Sequence, residues 1–197
     1  MASRPANTSK RTSAAMTSEP VAKPPPCKIH SLAVVSDKAQ ITGSHTVELC
    51  DNSVLHPHCK IKADHGIVYV GRSTIICEAT IIGVTEGEGN VIIGDGVLIE
   101  AGATIEAKSI GDGTVIEAKA KIGKGAMIGK HCKISPLSEI AADEQLSDYT
   151  VVFGDNQRRH NQTMADNLEV RDAKRRGQEL HIEMLKKLIP NASHKWT

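Results

Sequence analysis

Aliphatic residues return at every sixth position along most of the chain. Isoleucine, leucine or valine stands at 110, 116, 122, 128, 134, 140, 146 and 152 without a gap. Earlier blocks repeat the spacing at Ile29, Val35 and Ile41, at Leu49, Leu55 and Ile61, at Val70, Ile76 and Ile82, and at Ile93, Ile99 and Ile105. With such residues at about a quarter of positions, eight consecutive matches have odds of roughly one in 10⁵, so the period is a signal. Six is a multiple of two, and in an extended chain every one of these residues points to the same side. An α-helix would turn successive ones about 240° apart and smear them around its surface. The pattern therefore predicts short strands.

The fourth residue after each start shares that side and is small in most hexads: Ala33, Ala39, Ser53, Thr74, Thr80, Ala103, Thr114, Ala120, Ala126 and Ser138. A large inward residue on the flat and a small one near a bend describe a narrow coil with corners. Gly71, Gly83, Gly94, Gly111, Gly123 and Gly129, each just after a start, are expected to relieve strain at those bends. Grouped in threes, the hexads break their spacing only after a third one: two extra residues before Leu49, three before Val70, five before Ile93 and one fewer before Ile110. The loops, "HGIVY" and "VTEGEGN" among them, are thus expected along one edge of a three-sided prism. Insertions in repeat proteins gather in this way on a binding face, although tolerated insertion alone also explains them.

These repeats resemble the hexapeptide repeats of left-handed parallel β-helices, in which three hexads make one triangular coil. The resemblance covers about residues 29 to 155. It implies an all-β solenoid of about six to seven coils, and it leaves function open, because acyltransferases, γ-class carbonic anhydrases and non-enzymatic subunits share the fold.

The flanks differ in character. Residues 1–27 are rich in Ser, Thr, Ala, Pro and Lys and end in "KPPPCK"; such a composition predicts a disordered tail, since it buries too little apolar surface to offset ordering. Arg4, Lys10 and Arg11 with a single acid, Glu19, also resemble a mitochondrial transit peptide, but the prolines break any amphipathic helix. The β-helix is assigned to 28–155, and 156–197 to a linker and a C-terminal helix packed along it. Thr163 with Asp166 matches a capping box, Leu180, Met184, Leu185 and Leu188 form an apolar stripe, and Pro190 ends the pattern. A helix over 164–189, interrupted at Gly177, would run roughly 39 Å beside a stack of roughly 30 Å. Its stripe is expected to face the β-helix, with a partner's groove as the alternative.

Composition narrows the function classes. A formal net charge of +1 and 2% aromatic residues argue against a nucleic-acid binder, which needs a basic surface and stacking platforms. No apolar run reaches the roughly 20 residues of a membrane span, and no secretory signal core is present, so an intracellular setting is expected. Cys27, Cys50, Cys59, Cys77 and Cys132 are odd in number and form no CxxC, which fits reduced thiols.

Candidate chemistry is sparse. His131, in "GKHCKI", is the one histidine of the regular later coils; it reads as a solvent-facing turn residue with no acid to orient it. The zinc histidines of a γ-class carbonic anhydrase have no counterpart, because the equivalent frames carry Glu78 and Gly83, or Ala101 and Glu106. His56 and His58 bracket Pro57 without further ligands. His45, His65 and Glu86 occupy the fourth place of third hexads in successive coils and are expected to stack on one edge, about 4.8 Å apart, as a metal or pH-sensitive contact or simply as side chains turned to water. Arg158, Arg159, Lys174, Arg175 and Arg176 alternate with acids as a solvated face. No catalytic, cofactor or metal residue is assigned.

Three stretches sharpen the family. "HIEMLKKLIPNASHK" (181–195), "VLHPHCKI" (54–61) and "VVFGDNQRR" (151–159) are similar to the hexapeptide-repeat subunits of the dynactin pointed-end complex; the long N-terminal extension departs from their compact start. The resemblance implies a non-enzymatic, cytoplasmic, cytoskeletal adaptor. It would pair with dynactin subunit 5, lie near dynactin subunit 4 and the pointed-end actin-related protein, and help dynein select cargo. A γ-carbonic-anhydrase-like protein, mitochondrial and catalytically silent, is the main alternative, and a homotrimeric acyltransferase the third.

Overall fold

The computed structural model describes residues 25–196. Most of the tail expected over 1–27 lies outside these residues, and its last member, Cys27, already belongs to the first strand, Cys27–Ile29. The hexads fold into three parallel sheets, or walls, of a solenoid. The first wall holds the strand at the first start of each coil, from Cys27–Ile29 to Gln145–Leu146. The second runs from Val34–Val35 to Thr150–Phe153 and the third from Gln40–Gly43 to Glu139–Ile140. Each start pairs with the start one coil on, for example Ile99 with Ile116 and Ile105 with Ile122.

The starts from Val35 to Val152 are all buried, and so are the ten small residues at the fourth place. Each fully buried isoleucine contributes about 1.5–3 kcal/mol. Ser53, Thr74, Thr80 and Thr114 satisfy their own hydroxyls at the corners, whereas the buried Ser138 Oγ has no partner. Thr74 donates to the Gly94 carbonyl (2.8 Å) and accepts from Val97 N (3.2 Å), and Thr114 does the same with Gly129 O (2.8 Å) and Cys132 N (3.1 Å).

The glycines after the starts have a different duty from the one expected. Only Gly83 among the six has a positive φ, +131°. The left-handed turn residue is instead the third after most starts, including Asn52, His58, Ala79, Gly113, His131 and Tyr149. The glycine positions are where one coil presses on the next: a Cβ on Gly71 would lie 2.5 Å from the Gly94 backbone. Turn residues other than glycine carry local strain of order 1 kcal/mol each, which the ladders on both sides over-determine. Aspartates staple the first corner, since Asp95 accepts from Arg72 N (2.7 Å) and Asp112 from Asp95 N (3.0 Å).

The spacing breaks do fall at one corner, between the third wall and the first, where segments 44–46, 64–67 and 83–90 project. The second wall is capped at both ends of the stack. At the last coil, Gln157–His160 folds back antiparallel on Thr150–Phe153 through Gly154 and Asn156, both at positive φ. At the first coil, Asn191 bridges Ser36 and Trp196 packs against the core.

The C-terminal helix differs from its expected outline. Asn161, not Thr163, caps a short helix α1 (Gln162–Asp166), and Asn167 then caps α2 (Leu168–Leu188), which runs through Gly177 without a break. The stripe is split as well. Leu185 and Ile182 pack on Val34, Val54 and Ile75 of the second wall, with Leu98 and Ile189 at the margin, whereas Leu180, Met184 and Leu188 face solvent at 64, 56 and 72% exposure. Polar contacts extend the docking from the fifth coil back to the first: Lys174 donates to Gly113 O (2.6 Å), Gln178 to Ser73 O (2.9 Å) and Val97 O (3.3 Å), and Lys186 to Asn52 Oδ1. Asn191 then accepts from Val35 N (3.1 Å) and donates to Ala33 O (3.1 Å).

Candidate functional site

A groove of about 590 Å³ lies between α2 and the first corner. Asp51, Arg72, Asp95, Asp112 and His131 line its solenoid side, and Arg171, Lys174 and Arg175 its helical side. Most of these charges are already paired. Arg72 meets Asp95 at 3.0 Å, and Asp112 meets Lys130 at 2.9 Å. Arg175 meets Glu179 at 2.7 Å, as a solvated helix face would. Arg171 donates to the Met164 and Ala165 carbonyls that end α1 and lies over the Tyr149 ring. Lys174, expected on that solvated face, is half-buried instead, and burial, with Lys133 nearby, lowers its pKa.

His131 is not solvent-facing. The short turn aims it beneath α2, where it stacks on Tyr149 with ring centres 5.6 Å apart, and its Nδ1 is buried without a hydrogen-bond partner. Burial lowers its pKa, Lys174 and Arg171 lower it further, and Asp112 and Asp148 act in opposition. Neither carboxylate hydrogen-bonds the ring, so the imidazole has no orienting acid of the kind a general base needs. His56 is also half-buried with an unpartnered Nε2; its pKa is lowered by burial and by His181, against Glu78. His58 points outward from a left-handed turn, so the pair around Pro57 diverges.

A pH dependence follows from these two histidines. An unfolded imidazole takes up its proton near pH 6.5, whereas the folded ones do so at lower pH. Below about 6.5 the unfolded chain therefore binds more protons, and stability falls with pH until the folded groups have also titrated. The unfolding temperature is expected to drop between pH 7.5 and 5.5, and His131→Asn, which suits the left-handed turn, is expected to shrink the drop. An equal drop in the variant would acquit the imidazole.

On the loop edge, His45 and Glu86 are exposed and His65 is half-buried. The His45 ring lies 3.1 Å from the Ala63 carbonyl, the His65 carbonyl accepts from Gly89 N, and the Glu86 carbonyl accepts from Lys124 Nζ at 2.7 Å. The contacts tie loop to loop, but they do not gather the side chains. Among the described residues no group of three or more His, Cys, Asp or Glu side chains is placed to hold a metal ion. The five cysteines are free, and burial pushes the Cys59 and Cys77 thiols up to about 12 and about 11. No helix among the described residues is long and apolar enough to cross a membrane.

Residues that proved structural but carried no obvious sequence signal are Lys174, Gln178 and Lys186, which reach backbone or amide oxygens of the solenoid one by one. Asn161 and Asn167 did carry a signal, since asparagine is a favoured cap.

Comparison with known proteins agrees with the fold and extends it. The family described as bacterial transferase hexapeptide (six repeats) matches residues 108–142. A hexapeptide transferase family protein from Anaplasma phagocytophilum has the same fold, with a TM-score of 0.58 at 15% identity over 82% of this chain and 92% of its own. Dynactin subunit 6 of Nematostella vectensis is 29% identical over 85% of this chain and 90% of its own length. Dynactin subunit 6 of Danio rerio is 29% identical over 85% and 86%. That of Dictyostelium discoideum is 29% identical over 76% and 78%. The chain is a hexapeptide-repeat β-solenoid, similar along most of its length to the dynactin subunit 6 proteins.

Proposed function

We propose that this protein is a non-enzymatic subunit of the dynactin complex, acting in the cytoplasm as a rigid adaptor of the pointed-end assembly. The observation that carries the proposal is the similarity to dynactin subunit 6 over about 85% of the chain and 90% of the Nematostella protein. The flat side walls of the solenoid are the contact surfaces that an adaptor in a larger assembly offers. The second wall is taken by α2. Among the described residues nothing covers the middle of the first, which is comparatively apolar: Ile92 is 49% exposed beside Tyr69, and Ile67 of the adjoining loop is 44% exposed. This face suits the flat wall of a second solenoid, and we assign it to dynactin subunit 5. The loop edge next to it is assigned to dynactin subunit 4 and the pointed-end actin-related protein, and dynein cargo selection follows from that position.

Affinity purification of the natively expressed protein tests the reading. Dynactin subunits 5 and 4 and the actin-related protein are expected in the eluate, and Ile92→Asp is expected to lose subunit 5 first. Recovery of no dynactin component overturns the proposal.

A further inference from the structure

The solvent side of α2 carries a seam of uncharged residues at alternating three- and four-residue steps: Val170, Ala173, Gly177, Leu180 and Met184. Such spacing keeps residues in line along one helix for contact with another helix. Val170 is half-buried and the other four are exposed, two of them large apolar side chains at 64 and 56%. Nothing of the solenoid covers the seam, and a Cβ placed on Gly177 would meet no atom within 4 Å. A glycine in a helix interior costs about 1 kcal/mol relative to alanine, and here no contact among the described residues offsets it.

The order of sizes along the seam identifies the occupant. Two small residues, Ala173 and Gly177, are followed by two large ones, Leu180 and Met184. If a second α2 is laid antiparallel with its two-fold axis between Gln178 and Glu179, Gly177 meets the second copy's Leu180. Ala173 then meets the second copy's Met184, and the two-fold repeats both contacts. Each large side chain enters the gap left by a small one. The flanking charges agree in the same register. Arg176 precedes Gly177 and Glu183 precedes Met184, and in an antiparallel pair residues at these positions face one another across the seam. Arg176 therefore faces the second copy's Glu183, twice. Both side chains are exposed, and neither has an ion-pair partner among the described residues. A parallel arrangement would set Gly177 against Gly177 and Leu180 against Leu180, and would leave the charges unmatched.

We propose that α2 is a self-complementary interface through which two copies of this chain associate as an antiparallel, two-fold symmetric dimer. A contact of one helix on another buries less than the roughly 1,600 Å² of a standard interface, so the dimer is expected to dissociate on the order of micromolar concentrations. The inference stands apart from the dynactin reading: it concerns the purified chain alone, and the α2 seam lies on a different side from the first wall.

Sedimentation velocity of the purified full-length protein between about 1 and 100 μM is the test. The wild type is expected to pass from monomer to dimer over that range. Gly177→Phe, which has room in the monomer and favours the helix, is expected to keep its unfolding temperature and weaken the dimer by about tenfold or more. Arg176→Glu and Glu183→Arg are each expected to weaken it by opposing like charges, and the two together to restore it to within about threefold of wild type. A wild type that stays monomeric at about 100 μM overturns the proposal. So does a dimer that ignores Gly177→Phe, or one that the paired charge exchange fails to restore.

Discussion

Gly83→Val is expected to cost the solenoid about 4 kcal/mol or more, in the range reserved for backbone clashes in a packed core. A Cβ at this site would stand 2.0 Å from the Lys62 carbonyl oxygen of the coil below, and the residue holds φ at +131°. Its own N–H donates to the Ile105 carbonyl of the coil above at 3.0 Å. Relief of the clash would therefore have to break a ladder on one side or the other. For a domain stable by about 5–15 kcal/mol, the change removes much of the total. The urea midpoint should fall by a third or more, or the protein should accumulate as aggregate. Gly96→Ala is the control: φ is +64° there but no atom lies within 4 Å of the added carbon, so only the left-handed penalty of about 1 kcal/mol applies. If the two variants lose the same stability, coil-to-coil contact is not what selects glycine at position 83.

Leu185→Asp is expected to release α2 from the second wall while the hexads stay folded. Leu185 and Ile182 are buried against Val34, Val54 and Ile75. Exchanging Leu185 for a carboxylate forfeits about 2–3 kcal/mol of burial and adds the desolvation of a charge. A helix detached from its packing surface is marginal in water, since helical stability in proteins comes mostly from tertiary contact. Hydrogen exchange should then show loss of protection over 168–188, with protection of the coils near wild type. Leu180→Asp, on a side chain 64% exposed, should change monomer stability by less than about 0.5 kcal/mol. Equal effects at 180 and 185 would mean that α2 is rotated from the orientation described.

How much of this was legible in the sequence depends on whether the cause is local or repeated. The inward residues and the single loop-bearing corner follow from a period repeated many times, and nothing local competes with it. The role of the glycines was misplaced by one geometric step: strain at the turn is carried by the third residue of the hexad, where Lys119, Leu137 and Tyr149 accept a left-handed backbone, and the glycines mark close approach. Sequence spacing cannot separate these causes, because both favour glycine. The hairpin that closes the last coil had a readable turn in Gly154 to Asn156, obscured by polar strand residues with no alternation. The stripe on α2 was read as one face, although Leu185 lies about 100° around the helix from Met184. Only the structure shows which side the second wall occupies. His131 was assigned to solvent because the element that buries it is forty residues away in sequence.

The clasp formed by α2 has an evolutionary consequence. Between Lys174 and Lys186 the helix advances about 18 Å, while its contacts descend three coil spacings, about 14 Å, from Gly113 to Asn52. Duplication of one coil would add 18 residues to the solenoid and lengthen the stack by about 4.8 Å. The existing helix would then fall short, and either Asn191 would lose Ala33 and Val35 or Lys174 would lose Gly113. Restoring both anchors needs three or four more helical residues. Repeat number is free to drift in an open solenoid, but here it is tied to the length of a single helix, which makes the molecule a gauge of fixed height.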